Sequence, residues 1–120
     1  MVKSKEEILN IINHSMGTTV YHSFYPSDSY PVITDGVLTL AKAAECFWFL
    51  DIICSYQGDK KFTTRLQVWE LKVQSDASAT VYGYNDESLV IKQEIPYTDF
   101  PLDELKLYLI DGVILLPVEY

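Results

Sequence analysis

Closely spaced glycines are missing from this 120-residue chain: its five, Gly17, Gly36, Gly58, Gly83 and Gly112, lie at least nineteen residues apart. A phosphate cradle needs neighbouring glycines to bring several backbone N–H groups up to one anion, so nucleotide-loop chemistry is excluded. Histidine and cysteine are almost as scarce. His14, His22, Cys46 and Cys54 are the whole supply, and seven residues separate the members of each pair, unlike compact zinc knuckles. No metal and no cofactor are expected. On one helix Cys46 and Cys54 would stand about 12 Å apart along the axis, beyond disulfide reach, and are expected to be buried thiols. Long apolar runs are also lacking. The most apolar stretch, Cys46 to Cys54, contains Asp51 and is too short and too charged to cross a bilayer. Met1 to Gly17 has no continuous apolar segment of the kind a signal peptide needs. A cytoplasmic protein without a membrane partner is expected.

Positive charge is the last shortage. Nine bases against seventeen acids give a net charge of −8, and Arg65 is the only arginine. Such a balance repels phosphate backbones, so direct nucleic-acid binding is disfavoured. The acids are unevenly placed. Residues 1–73 carry seven bases and eight acids, summing to −1, whereas residues 74–120 carry two bases and nine acids, summing to −7. A basic partner for the C-terminal part is the functional expectation, with solubility as the plainer one.

What the chain does have suits one packed domain: 48% apolar and 22% charged residues, over a length that a second core would divide too finely. Ser4-Lys5-Glu6-Glu7 is a capping box, and Ile8, Ile11 and Ile12 follow on one stripe, predicting a helix over 5–14. Thr18 to Tyr25 suits a short strand, and Pro26 to Pro31 reads as a loop. Thr34-Asp35-Gly36 can cap a second helical region over 36–57, surrounded on most sides, with a break possible near Glu45. From Phe62 the pattern turns to strands: Phe62–Val73, Thr80–Tyr84, Leu89–Ile95, Lys106–Ile110 and Val113–Leu116. Asp111-Gly112 carries the chemistry of a type I′ hairpin turn. Leu66 and Val68 fall out of phase with Trp69, Leu71 and Val73, which implies a bulge or a strand covered on both faces. Helices first and strands after predict an α+β domain, with two or three helices on one face of an antiparallel meander of about five strands. Tyr97 to Pro101 leads into Leu102-Asp103-Glu104-Leu105, a turn or single helical turn.

Several blocks then stand in order: Thr34-Asp35-Gly36-Val37; Trp48, Leu50, Asp51, Ile53 and Ser55-Tyr56-Gln57; Gln67-Val68-Trp69-Glu70-Leu71-Lys72-Val73; Glu94-Ile95 with Tyr97-Thr98-Asp99-Phe100-Pro101; Leu105, Leu107 and Tyr108; and Gly112-Val113 with Leu115-Leu116-Pro117. Together, over residues 34–120, they resemble a family of small uncharacterised proteins of phages, plasmids and bacteria. That resemblance implies a mobile-element setting and no activity or catalytic residue. The N-terminal third is less shared.

Candidate residues follow from placement. Asp51 inside an apolar run asks for a partner, and an ion pair with Arg65 is the structural expectation. The functional alternative is a general base in a pocket. Tyr25 and Tyr30, beside a Ser/Pro loop, suit a partner surface, as do Asp99, Asp103 and Glu104 at the acidic end. The continuous apolar run from Val113 to Leu116 predicts self-association as a homodimer through Ile114 and Leu115, unless that strand lies inside the sheet. No catalytic constellation emerges. The leading expectation is a non-enzymatic protein that binds and modulates a host protein with a basic or nucleic-acid-binding surface. The alternatives are an acidic mimic of DNA that inhibits a nuclease or defence enzyme, and a small-ligand binder or enzyme centred on Asp51.

Overall fold

The computed structural model describes residues 2–15, 21–23, 31–58, 60 and 62–120. Helix α1 (Lys5–His14) begins at a Ser4 cap: Ser4 Oγ accepts from the Glu7 N–H at 3.2 Å, and the Glu7 carboxylate accepts from the Ser4 hydroxyl at 3.3 Å in place of the backbone N–H that a full capping box would engage. Its stripe buries Ile8 completely. A two-residue strand, β1 (Val32–Ile33), precedes helix α2 (Asp35–Ala44), which Thr34 caps by accepting from the Val37 N–H. The helical region breaks where a break was allowed. Glu45 adopts a left-handed conformation (φ 52°), and helix α3 (Phe47–Ser55) starts two residues later.

The remaining elements are β2 (Leu66–Val73), β3 (Ala79–Asn85), β4 (Ser88–Ile95), β5 (Glu104–Ile110) and β6 (Val113–Leu115), followed by a 3₁₀ turn over Pro117–Glu119. The fold is α+β, with a six-stranded mixed sheet in the order β1-β6-β5-β2-β3-β4. Two details differ from the meander expected. Strand β5 returns to lie beside β2 instead of β4, giving β2 to β5 the spatial order of a Greek key. Strand β1 runs parallel to β6 at the far edge. The return is fixed by residues 96–103, which form no helical turn. Thr98 N–H donates to the Ala77 carbonyl at 2.8 Å, and Val73 N–H donates to the Asp103 carbonyl at 2.7 Å.

One face of the sheet carries the core. Trp69, Leu71, Val81, Leu105, Leu107, Leu109 and Ile114 are buried there with Val37, Leu40 and Ala41 of α2 and Phe49, Leu50 and Ile53 of α3. The phase slip expected in β2 is absent, since its register is regular against both neighbours. Gln67, not an apolar residue, is the fourth member of the core face. Its amide exchanges two 2.9 Å hydrogen bonds with Gln57 and accepts from Trp69 Nε1 at 3.0 Å, tying the end of α3 to the sheet. Tyr56 and Phe62 pack on the Trp69 ring. The bulge lies instead between β3 and β4, near Gly83 and Tyr84.

The Asp111-Gly112 turn behaves as its sequence demands, with φ of 49° and 81°. It returns β6 to a position between β1 and β5. This overturns the premise of self-association through an exposed terminal strand. Ile114 is wholly buried and Leu115 half-buried, because β1 and the sheet interior supply the cover the apolar run needs. Tyr25, Tyr30 and most of the expected Thr18–Tyr25 strand lie outside the described residues. Within that stretch His22 bridges to Ile33, and both backbone hydrogen bonds between them are 2.8 Å.

Candidate functional site

Helix α3 is apolar on almost every side. Its exposed stripe is Asp51 and Ser55, flanked by half-buried Trp48 and Ile52. Asp51 is therefore an exposed residue of a helix packed on its other sides, not a buried one. The i, i+4 step from Phe47 to Asp51 and on to Ser55 turns the carboxylate outward. The expected pair with Arg65 is replaced as well. Arg65 forks onto Asp111 across the open end of the sheet, with Nε 2.9 Å from Oδ1 and Nη2 2.5 Å from Oδ2. The guanidinium holds the Asp111 carboxyl below its ordinary range, and the carboxylate raises Arg65 in turn. Both side chains are exposed, so this pair is a surface clasp on the hairpin.

At the other end of the sheet β4 stops at Pro96, and the chain bends over the flank of α3. Thr98 is the buried anchor of this bend, its hydroxyl accepting from the Phe100 N–H at 3.1 Å. Tyr97 is left 70% exposed and Asp99 exposed. The bend, the left-handed Glu45 and the outer flank of α3 enclose an open depression of about 590 Å³. Three carboxylates line it, Glu45, Asp51 and Asp99, together with the rings of Trp48 and Tyr97. Ile52 and Ile95 form its apolar floor. Such a surface suits a cation on an alkyl stem: acids neutralise the head, ring faces attract it, and the floor covers the stem.

The structure thus brings Asp51 and Asp99 together and parts both from Asp103 and Glu104. Glu104 stands opposite Lys72 in the β2–β5 register, while Lys106 stands opposite Glu70. These four side chains border a second groove of about 480 Å³ beside Leu9 and Ile12 of α1. Their charges alternate and sum to zero, so the C-terminal excess of acids does not form one patch. Trp48, Tyr97 and Glu45 stand in the sequence as parts of the ordered blocks and of a helix break, and not as candidate site residues. Trp48 and Asp51 share a helix face at i, i+3, which was a usable signal; the approach of residues 95–99 to that face is a product of the Greek-key return.

Other polar groups serve the fold. Glu119 Oε1 accepts from the Thr34 hydroxyl at 2.8 Å and the Leu116 N–H at 2.9 Å, so the C-terminal turn closes over the start of α2. His22 pairs with Asp35 in the first turn of α2. Burial pushes the Cys46 and Cys54 thiols up to about 12, with the Asp51 charge adding to the rise at Cys54. Neither cysteine is bonded to the other. Among the described residues no three His, Cys, Asp or Glu side chains are placed to hold a metal, and no helix is long and apolar enough to cross a membrane.

Comparison with curated proteins gave no match, and neither did comparison with solved structures. A family model described as "Family of unknown function (DUF6876)" matches residues 6–120, so the shared unit includes α1 as well as the blocks from Thr34 onward. The chain belongs to this family of unknown function.

Proposed function

We propose that this protein is a non-enzymatic interaction protein, borne by a mobile element, that binds and modulates a host protein by receiving a cationic segment in the depression between α3 and residues 95–99. The observation that carries the proposal is the meeting of Glu45, Asp51 and Asp99 with the rings of Trp48 and Tyr97 on one open surface. Acid and aromatic side chains in that combination favour a lysine or arginine over an anion or an apolar ligand. The chain's charge of −8 acts in the same direction at longer range. The mobile-element setting rests on the resemblance of the ordered sequence blocks.

The readings held as alternatives have less support. A mimic of DNA needs a continuous line of negative charge, but the acids on the outer sheet face, Glu70, Glu94 and Glu104, alternate with Lys72, Lys92 and Lys106. An enzyme centred on Asp51 needs a secluded carboxylate, and Asp51 is exposed.

The test is binding of a fluorescein-labelled octapeptide of alternating valine and arginine, followed by anisotropy. Asp51→Asn with Asp99→Asn should weaken binding at least about tenfold, in a protein that still unfolds cooperatively on heating. Rising salt should weaken the wild-type complex, because exposed charges are screened within about 10 Å at 0.1 M. Equal affinity of the wild type and the double variant at low salt would overturn the proposal.

A further inference from the structure

The depression lies at one end of an open sheet edge. Among the described residues no strand pairs with the outer side of β4. The ladder determines which backbone groups that edge presents. Asp86 N–H donates to the Leu66 carbonyl, and Val73 N–H donates to the Asp103 carbonyl. Strand β2 therefore turns its even-numbered residues to β3 and its odd-numbered ones to β5. Carried across the odd-to-odd register of β3 with β4, this alternation directs Ile91, Gln93 and Ile95 to β3. The N–H and C=O groups of Lys92 and Glu94 are left pointing outward.

We infer that this edge accepts an extended segment of the cationic partner as a seventh strand, with one basic side chain entering the depression. The inference rests on the function proposed above. Four features support it. The edge offers two consecutive outward donor–acceptor pairs, the requirement for strand addition. Pro96 ends the available ladder where the depression begins. Ile95 faces the helix side and lines the depression, so a residue of the added strand opposite Ile95 projects its side chain toward Trp48, Asp51 and Asp99. The surroundings are acidic, with Asp86 and Glu87 at one end and Glu94 and Asp99 at the other, against Lys92 alone. A second copy of the chain would bring its own acids to this edge, whereas a basic segment neutralises them.

The alternation makes the inference specific. Arginines of the alternating peptide lie opposite Ile91, Gln93 and Ile95, and their N–H groups point away from β4. Valines lie opposite Lys92 and Glu94 and exchange hydrogen bonds with them. The experiment compares three forms of the labelled peptide on the wild-type protein: unmodified, N-methylated at the valines, and N-methylated at the arginines. Methylation at valine should weaken binding about tenfold or more, and methylation at arginine should have little effect. In the unmodified complex the amide protons of Lys92 and Glu94 should gain protection from hydrogen exchange. Glu94→Pro, which removes an outward donor that β3 does not use, should weaken binding more than Glu94→Gln, which removes only the charge.

Three results would overturn the inference. If both methylated peptides bind like the parent while Asp51→Asn with Asp99→Asn still weakens binding, the cation site stands and strand addition fails. Loss on arginine methylation alone refutes the register. Protection of the Lys92 and Glu94 amides without peptide, with a dimer by light scattering, gives the edge to a second copy. A double variant that binds as well as the wild type removes the underlying proposal instead.

Discussion

Gly83 has no positive φ to justify it; its reason is the Trp69 ring across the strand pair. A Cβ at position 83 would stand 2.8 Å from Cζ3 and 2.9 Å from Cη2 of Trp69, and 3.0 Å from Ile91 Cβ. Carbon atoms pack at about 3.5–4.0 Å, so the ring must withdraw by roughly 0.7 Å or the strands must part. Withdrawal is resisted on every side. Trp69 is wholly buried, touched by Tyr56 and Phe62 at ring separations of 5.8 and 5.5 Å, and held at Nε1 by Gln67. Overpacking of this kind costs about 1–3 kcal/mol. The restricted unfolded chain of an alanine variant returns about 0.4–1 kcal/mol. Gly83→Ala should therefore destabilise by about 1–2 kcal/mol, lowering the melting temperature by roughly 4–8 °C for a chain of this size.

Urea unfolding of four proteins tests this reasoning: wild type, Gly83→Ala, Trp69→Phe and the double variant. Phenylalanine lacks the outer ring atoms that the new Cβ would strike. Trp69→Phe alone should cost about 1–3 kcal/mol for lost volume and an emptied Gln67 hydrogen bond. Adding Gly83→Ala to it should cost little, so the two changes should couple favourably by about 1 kcal/mol. Additivity within about 0.5 kcal/mol, or a neutral Gly83→Ala, would refute the steric account.

Glu119→Ala leaves the Thr34 hydroxyl and Leu116 N–H without their acceptor and should cost about 1–3 kcal/mol in urea unfolding. Glu119→Gln keeps that acceptor and should cost less; an equal loss would show that the charge beside α2 matters more. With thiols near 12 in the fold against about 9 when exposed, the folded state retains protons that the unfolded state releases. Stability should therefore fall as pH rises above about 9, by up to about 1.4 kcal/mol per pH unit for Cys46, and Cys46→Ala should reduce that slope. Ile114→Lys places a charge in the sealed core and should abolish cooperative unfolding by circular dichroism, where a terminal-strand dimer would instead yield a folded monomer.

Legibility followed the range of the interactions. The two helix caps, the break at Glu45, the Asp111-Gly112 turn and the five longer strands are written locally, in hydroxyls, carboxylates and glycine at fixed offsets. Strand β1 is only two residues long and exists because β6 lies beside it, so no local pattern announces it. Gln67 misled for a related reason. A polar residue on a core face breaks the apolar alternation, and its partners, Gln57 and Trp69, become visible only when α3 lies on the sheet. Asp51 misled in the opposite sense. A single carboxylate within nine mostly apolar residues is compatible with burial, yet helical geometry gives every such segment a stripe that can face water.

The same reasoning explains how the residues of the depression gather at this end of the molecule. An apolar helix such as α3 must expose something along its open flank, and here that flank carries Trp48 and Asp51. A Greek-key return must carry the chain across the sheet end, and here the crossing places Tyr97 and Asp99 against the same flank. Neither segment is required by the core to be acidic or aromatic. Core burial is met by Phe49, Leu50 and Ile53 on one side and by Thr98, Phe100 and Leu102 on the other. Between these anchors Trp48 is half-buried against the core, while Asp51, Tyr97 and Asp99 are exposed. Their convergence as acids and aromatic rings beside the outer edge of β4 is therefore the feature that the fold alone leaves unexplained, and it is the feature on which the proposed recognition of a basic, extended partner rests.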